Sequence, residues 1–134
     1  MRADEEVSVG VAGAESRAPV VLRPARDADI PAVLEIEQAA FGDPWSRSAF
    51  IDLLDDPRVA FLVADAGGAV QGYVVAWFVL DEGEIGNLAV SAEARRGGIG
   101  ARLLDGAIGA VRKARVDSLY LEVRDSNAAA RALY

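Results

Sequence analysis

Arg95-Arg96-Gly97-Gly98-Ile99-Gly100-Ala101 sits between an apolar run ending at Val90 and a helical pattern through Leu103, Leu104, Ala107, Ile108 and Val111. Glycine there permits positive φ and a close approach to the backbone. The first amides of a helix have no intrahelical acceptor and carry the positive end of its dipole. The stretch therefore reads either as a backbone nest for a phosphate-bearing ligand or as a turn that punctuates strand and helix.

Working outward, Glu84 to Val90 is the strand that feeds the loop, and its Gly86 marks a bulge or a close backbone approach. Val59 to Asp65 and Val70 to Leu80 are strands joined at Gly67-Gly68, so the three form an antiparallel meander. Beyond the loop helix, expected from Gly98 to Ala114, Ser118 to Arg124 alternates strictly. Leu119, Leu121 and Val123 share one face, and Tyr120, Glu122 and Arg124 the other. Strands before and after one helix should be parallel neighbours. A loop at the carboxyl end of such a strand is where these sheets bind ligands.

Upstream, Val20 to Arg23 is a short strand stopped by Pro24, and Asp27 or Asp29 caps a helix with Pro31 in its first turn. Its apolar face runs Ile30, Val33, Leu34 and Ile36-Glu37-Gln38 through Phe41. Ser46 caps a second helix carrying Phe50, Leu53 and Leu54. Trp45 is either a staple against Phe50-Ile51 or the wall of a binding groove. Asp125 or Ser126 caps a last helix from Asn127 to Tyr134. The order β-α-α-β-β-β-α-β-α gives a mixed α/β (α+β) domain over residues 20–134, behind a flexible tail over residues 1–19.

The chain holds no cysteine and no histidine. That excludes thiol nucleophiles, imidazole catalysis and most zinc sites, so no metal is expected and acid–base work falls to carboxylates, tyrosine, lysine or water. The net charge of −7 argues against direct nucleic-acid binding and favours a cationic partner such as a basic peptide, besides serving solubility. No apolar run approaches the roughly 20 residues needed to span a bilayer, and the N-terminus has no signal-peptide pattern. A cytoplasmic protein with no membrane partner is the expectation.

Together these segments resemble the GNAT superfamily of N-acetyltransferases, whose acetyl-CoA signature Q/R-x-x-G-x-G/A is matched by Arg95 to Gly100. More narrowly, the chain resembles the RimI-type ribosomal-protein-alanine N-acetyltransferases. The resemblance is carried by Ile36-Glu37-Gln38 with Pro44-Trp45-Ser46, by Asn87-Leu88-Ala89-Val90, by Leu121-Glu122-Val123-Arg124, and by Ser126-Asn127-Ala128-Ala129-Ala130 with Ala132-Leu133-Tyr134. It runs from about Val21 to the last residue and implies the GNAT fold, with acetyl-CoA as cosubstrate and a protein N-terminus, here ribosomal alanine, as acceptor. A GNAT enzyme acting on lysine or small amines, and a CoA-binding module without turnover, remain as alternatives.

By the same resemblance, the backbone of Leu88, Ala89 and Val90 pairs with the pantetheine arm like an added strand. Amides of Arg96, Gly97, Gly98, Ile99, Gly100 and Ala101 hold the pyrophosphate, with charge from Arg95 and Arg96. Asn127 either hydrogen-bonds the pantetheine or caps its helix. Glu122 is the implied general base, against the plainer reading of a carboxylate paired with Arg124 or a neighbouring strand. Tyr134 is the implied general acid, against that of a surface tyrosine, and Trp45 lines the acceptor groove. RimI-type proteins continue past this tyrosine with a C-terminal pair of strands. The chain ending at Tyr134 is therefore expected to lack them, to expose the edge of the Ser118–Arg124 strand to self-association, and to bind CoA better than it turns over.

Overall fold

The structure, a computed structural model, describes residues 19–79, 82–95, 97–113 and 118–121. Within them the chain forms β1 (Val20–Pro24), α1 (Ile30–Ala40), α2 (Arg47–Leu54), β2 (Val59–Ala66), β3 (Ala69–Val79), β4 (Glu82–Val90), α3 (Ile99–Lys113) and β5 (Ser118–Leu121). The five strands make one sheet in the order β1-β2-β3-β4-β5. Its first four strands are antiparallel, and β5 lies parallel to β4. The mixed sheet, the meander and the parallel pair around the glycine loop stand as the sequence predicts. The last expected helix, the N-terminal tail, and Arg96, Glu122, Asn127 and Tyr134 lie outside the described residues.

Each face of the sheet is covered. Ile30, Val33 and Ile36 of α1, Phe41 just past it and Phe50 of α2 pack with Phe61, Val63, Tyr73, Val75 and Ala89. On the other face, Ile99, Leu103 and Ala107 of α3 pack with Ala64, Val74, Ala76, Ile85, Leu88 and Val90. The period-2 alternation of Tyr73, Val74, Val75 and Ala76 divides β3 between the two cores. Burial of these side chains is the main force holding the layers together, at roughly 1.5–3 kcal/mol for each large one.

One local expectation is corrected. Neither Asp27 nor Asp29 caps α1 through its side chain: Asp27–Asp29 is a short 3-10 turn, and Asp29 at the N-cap position makes no side-chain capping bond. Its carboxylate is committed elsewhere. It accepts the Arg26 backbone N–H at 2.8 Å and two guanidinium bonds from Arg23 at 2.7 and 2.8 Å. The Arg23 Nε donates to Asp65 at 2.9 Å, so one arginine ties β1 to the entry of α1 and to β2. Pro24 ends as the last residue of β1 rather than its stop, because β1 is an edge strand and its register reaches Pro24↔Leu62.

The Arg23 guanidinium, aided by the Arg26 amide and opposed by burial, holds the Asp29 carboxyl below its ordinary value of 3.8. A depressed folded value stabilises the fold above the unfolded value, and that contribution is lost as pH falls through the folded one. Asp29→Asn should therefore cost about 2 kcal/mol at neutral pH, because a half-buried Arg23 loses one of its two carboxylate partners and keeps only Asp65. Urea unfolding should show the gap between wild type and variant closing below about pH 4. A gap independent of pH would contradict this assignment.

Candidate active site

The glycine loop adopts the geometry a phosphate cradle needs. Gly98 has φ +82°, a conformation that disfavours side chains, and α3 begins at the next residue. The Arg102 N–H is bonded to the Gly98 carbonyl at 3.1 Å, the first bond of the helix. The amides of Ile99, Gly100 and Ala101 therefore open at its N-terminus without intrahelical acceptors. No acidic side chain sits in this first turn, while Arg112 and Lys113 occupy the last, which leaves the positive end of the dipole available to an anion. Gly97 and Gly98 are exposed.

The end of β4 lies beside this loop. Ser91 N–H donates to the Gln71 carbonyl at 2.8 Å, one step beyond the Gly72↔Val90 pair. Antiparallel ladders alternate, so the backbone groups of Ala89 and Asn87 are given to β3, and those of Leu88 and Val90 point to the opposite edge. On that edge the Val90 carbonyl accepts from Nε of Arg95 at 3.2 Å, which ties the loop to the strand. The described register of β5 on β4 runs only from Glu82↔Ser118 to Ile85↔Leu121. Leu88 and Val90 lie past it. Of the backbone stretch expected to face pantetheine, Ala89 thus turns toward β3, and Leu88 and Val90 turn outward.

A bulge reshapes β4 before this point. The register steps from Val75↔Asn87 to Ala76↔Ile85, leaving Gly86 as the extra residue. Both Gly86 and Asn87 consequently face α1 and α2, while Ile85 is shifted into the α3 core with Leu88. Trp77 and Glu84 come opposite one another, and the indole Nε1 donates to the Glu84 carboxylate at 2.6 Å.

Above Gly86 two tryptophans meet. Trp45 stacks on Trp77 with ring centres 6.1 Å apart and planes at 21°, and its centre lies 5.4 Å from that of Phe50. Ser46 caps α2 by accepting the Ala49 N–H at 3.2 Å, so Trp45 packs on Phe50 as a staple would. A Cβ at Gly86 would collide with Cη2 of Trp77 and lie 3.1 Å from Cη2 of Trp45. Trp77 is pinned by its bond to Glu84 and cannot swing cheaply. Gly86→Ala should destabilise the fold by about 1–3 kcal/mol, read as a lower urea midpoint, and an unchanged midpoint would show the indole to be free. On its far side Trp77 lines a cleft of about 250 Å³ with Leu53, Asp56, Arg58, Val59 and Phe78.

Beneath the tryptophans lies a polar centre that the sequence reading placed on the helix face without a role. Glu37 is fully buried. Its carboxylate accepts the Trp45 backbone N–H at 2.7 Å, the Asn87 amide Nδ2 at 2.8 Å, and the Tyr73 hydroxyl. Asn87 is 3% exposed, so the pair is sealed from solvent. Spacing was the available signal. Glu37 falls at i+7 from Ile30 and i+4 from Val33 on the inward stripe of α1, where a carboxylate is rare unless paired.

Among the described residues no group of three or more carboxylate, His or Cys side chains converges as a metal site would, and no helix is long and apolar enough to cross a membrane.

Comparison with known proteins agrees with this geometry. The profile of the Acetyltransferase (GNAT) family matches residues 30–134. A relative from Escherichia coli (strain K12), named [ribosomal protein bS18]-alanine N-acetyltransferase, is 39% identical over 106 residues, covering 79% of this chain and 71% of its own. The crystal structure of the ribosomal-protein-S18-alanine N-acetyltransferase from Escherichia coli superposes with a TM-score of 0.75 at 35% identity, covering 87% of this chain and 74% of that one. That of Ard1 from Thermoplasma volcanium gives a TM-score of 0.76 at 29% identity, covering 84% and 78%.

Proposed function

Because the chain belongs to the GNAT family and is an acetyltransferase that uses acetyl-CoA, we propose that it acetylates the N-terminal α-amine of a protein, with the terminal alanine of ribosomal protein bS18 as its acceptor. The observation that carries this reading is the pairing of two features. The N-terminus of α3 opens at Gly98, and beside it β4 turns the backbone of Leu88 and Val90 outward, tied to the loop through Arg95. An extended amide-bearing arm ending in a pyrophosphate fits that arrangement. The arm adds to the strand edge, and the phosphates lie on the amides of Gly98 to Ala101. Asn127 would add a bond to the arm, and the charge of Arg96 one to the phosphates. Relatives of 35–39% identity named for bS18 alanine support the choice of acceptor.

The chemistry needs no covalent enzyme intermediate. The amine nitrogen attacks the thioester carbonyl, an amide bond forms and the carbon–sulfur bond breaks. The proton lost by the amine passes to Glu122, directly or through water, and the departing thiolate takes a proton from the Tyr134 hydroxyl. Glu122 follows Leu121 in the chain, and Leu121 is paired with Ile85, the residue before the Gly86 bulge. A terminal amine with a pKa of about 8 asks only a modest base, and a phenol near 10 remains protonated at neutral pH. Trp45, stacked over the bulge, would wall the acceptor side.

Incubation of an alanine-initiated peptide with acetyl-CoA, followed by mass spectrometry, tests this reading. Acetylation at the α-amine supports it. Acetylation confined to lysine, or acetyl-CoA binding without product, replaces it with a lysine-directed enzyme or a binding module.

A further inference from the structure

We propose that Glu37 is a positioning residue for the acceptor, holding the loop between α1 and α2 so that Trp45 lies stacked over the β4 bulge; this rests on the acceptor side suggested above. Glu37 serves that loop twice. Its backbone carbonyl accepts the Phe41 N–H at 3.0 Å and ends α1, and its carboxylate accepts the Trp45 N–H at 2.7 Å, eight residues on. The chain leaves the helix at Phe41, passes Gly42-Asp43-Pro44, and is caught again by the residue it started from. The helix end and the loop's far end are thus fixed to one residue, the first through its backbone and the second through its side chain.

The same carboxylate reaches two strands. Tyr73 donates from β3 and Asn87 from β4, next to the bulge residue Gly86. The loop's position is therefore referred to the strand whose next residues, Leu88 and Val90, carry the proposed cofactor edge. Trp45 then falls 6.1 Å from Trp77, closing over Gly86 with no room for a side chain between. A buried carboxylate is costly unless its acceptor sites are filled. A plain apolar residue at position 37 would fill the same inward stripe of α1 but would remove the carboxylate that accepts the Trp45 N–H. Glu37 is sealed from solvent, so it acts through Trp45 rather than on the acceptor itself.

Glu37→Gln replaces one acceptor oxygen by a donor, which cannot serve the Trp45 N–H, the Tyr73 hydroxyl and the Asn87 amide together. Three readouts on the full chain, well below its unfolding temperature, separate positioning from bare stability. The first is the far-UV exciton couplet in circular dichroism of the tryptophan pair, which belongs to Trp45 and Trp77 alone since the chain has only 2 tryptophans. The others are KM for an alanine-initiated peptide and Kd for acetyl-CoA. The expected result is a diminished couplet and a peptide KM raised about 10-fold, with kcat and the acetyl-CoA Kd changed by less than about 2-fold. An undiminished couplet, or a Kd for acetyl-CoA that rises as much as KM, overturns the proposal. Should E37Q not fold, Glu37→Asp keeps the carboxylate but shortens its reach, and the same three quantities decide in the same way. If the wild-type chain gives no α-amine product, the acceptor reading fails by itself, while the couplet still reports whether Glu37 sets Trp45.

Discussion

Glu122→Gln is expected to lower kcat on an alanine-initiated peptide by about 100-fold, with the dissociation constant for acetyl-CoA unchanged. A glutamine keeps the size and hydrogen-bonding reach of the side chain but cannot take a proton. The lost rate should return in part as pH rises through about 8, where the amine needs less help to shed its proton. Stopped assays across pH 6 to 9 read this directly. A kcat within a few-fold of wild type would put the base elsewhere. A weakened acetyl-CoA complex would make Glu122 a structural carboxylate, the reading that Arg124, two residues on, also allows.

Gly98→Val should weaken acetyl-CoA binding by at least about 10-fold, equivalent to 1.4 kcal/mol. The cause would be backbone conformation and not crowding. Nothing lies within 4 Å of a Cβ at this position, yet φ +82° is a region that a β-branched residue scarcely enters. Relaxing the strain turns the first amides of α3 away from a shared anion. Gly97→Ala is the matched control, since its Cβ would make an ordinary 3.5 Å contact with the Ala94 carbonyl and its φ needs no glycine. Isothermal titration of both variants should show a large loss for the first and a small one for the second. Equal losses would mean that the loop binds through open space near the chain rather than through the Gly98 conformation.

Periodicity made much of this architecture readable in advance. The Val59–Asp65 and Val70–Leu80 runs and the Gly67-Gly68 turn, with φ 63° and 95°, pointed to the antiparallel meander, and the glycine loop between two strands pointed to the parallel pair. Gly86 stood out as a poor strand residue, and the bulge lies there. Long-range polar contacts were a different matter. Asp29 looks like a cap of α1 in a linear reading, but it caps the preceding 3-10 turn through the Arg26 N–H, and its bonds to Arg23 appear only once β1 is seen to pass beside that turn. Tyr73 and Asn87 lie 36 and 50 residues from Glu37 and meet it only once the sheet and α1 are assembled. Of the candidate site, the glycine loop at the start of α3 was visible as a local sequence pattern, and the buried Glu37 centre was not.

Chain order and sheet order coincide in this fold, which bears on how it forms. β3 and β4 each meet the strand just before them through a hairpin, so the contacts of β2, β3 and β4 are short in sequence, whereas β1 reaches β2 only across the whole α1–α2 excursion. β5 likewise finds β4 only after α3 has crossed the sheet. The two strands at the ends of the sheet order, β1 and the β5 that leads to Glu122, are thus expected to be secured after the β2–β4 hairpins. Amide exchange should accordingly protect β2 to β4 more strongly than β5.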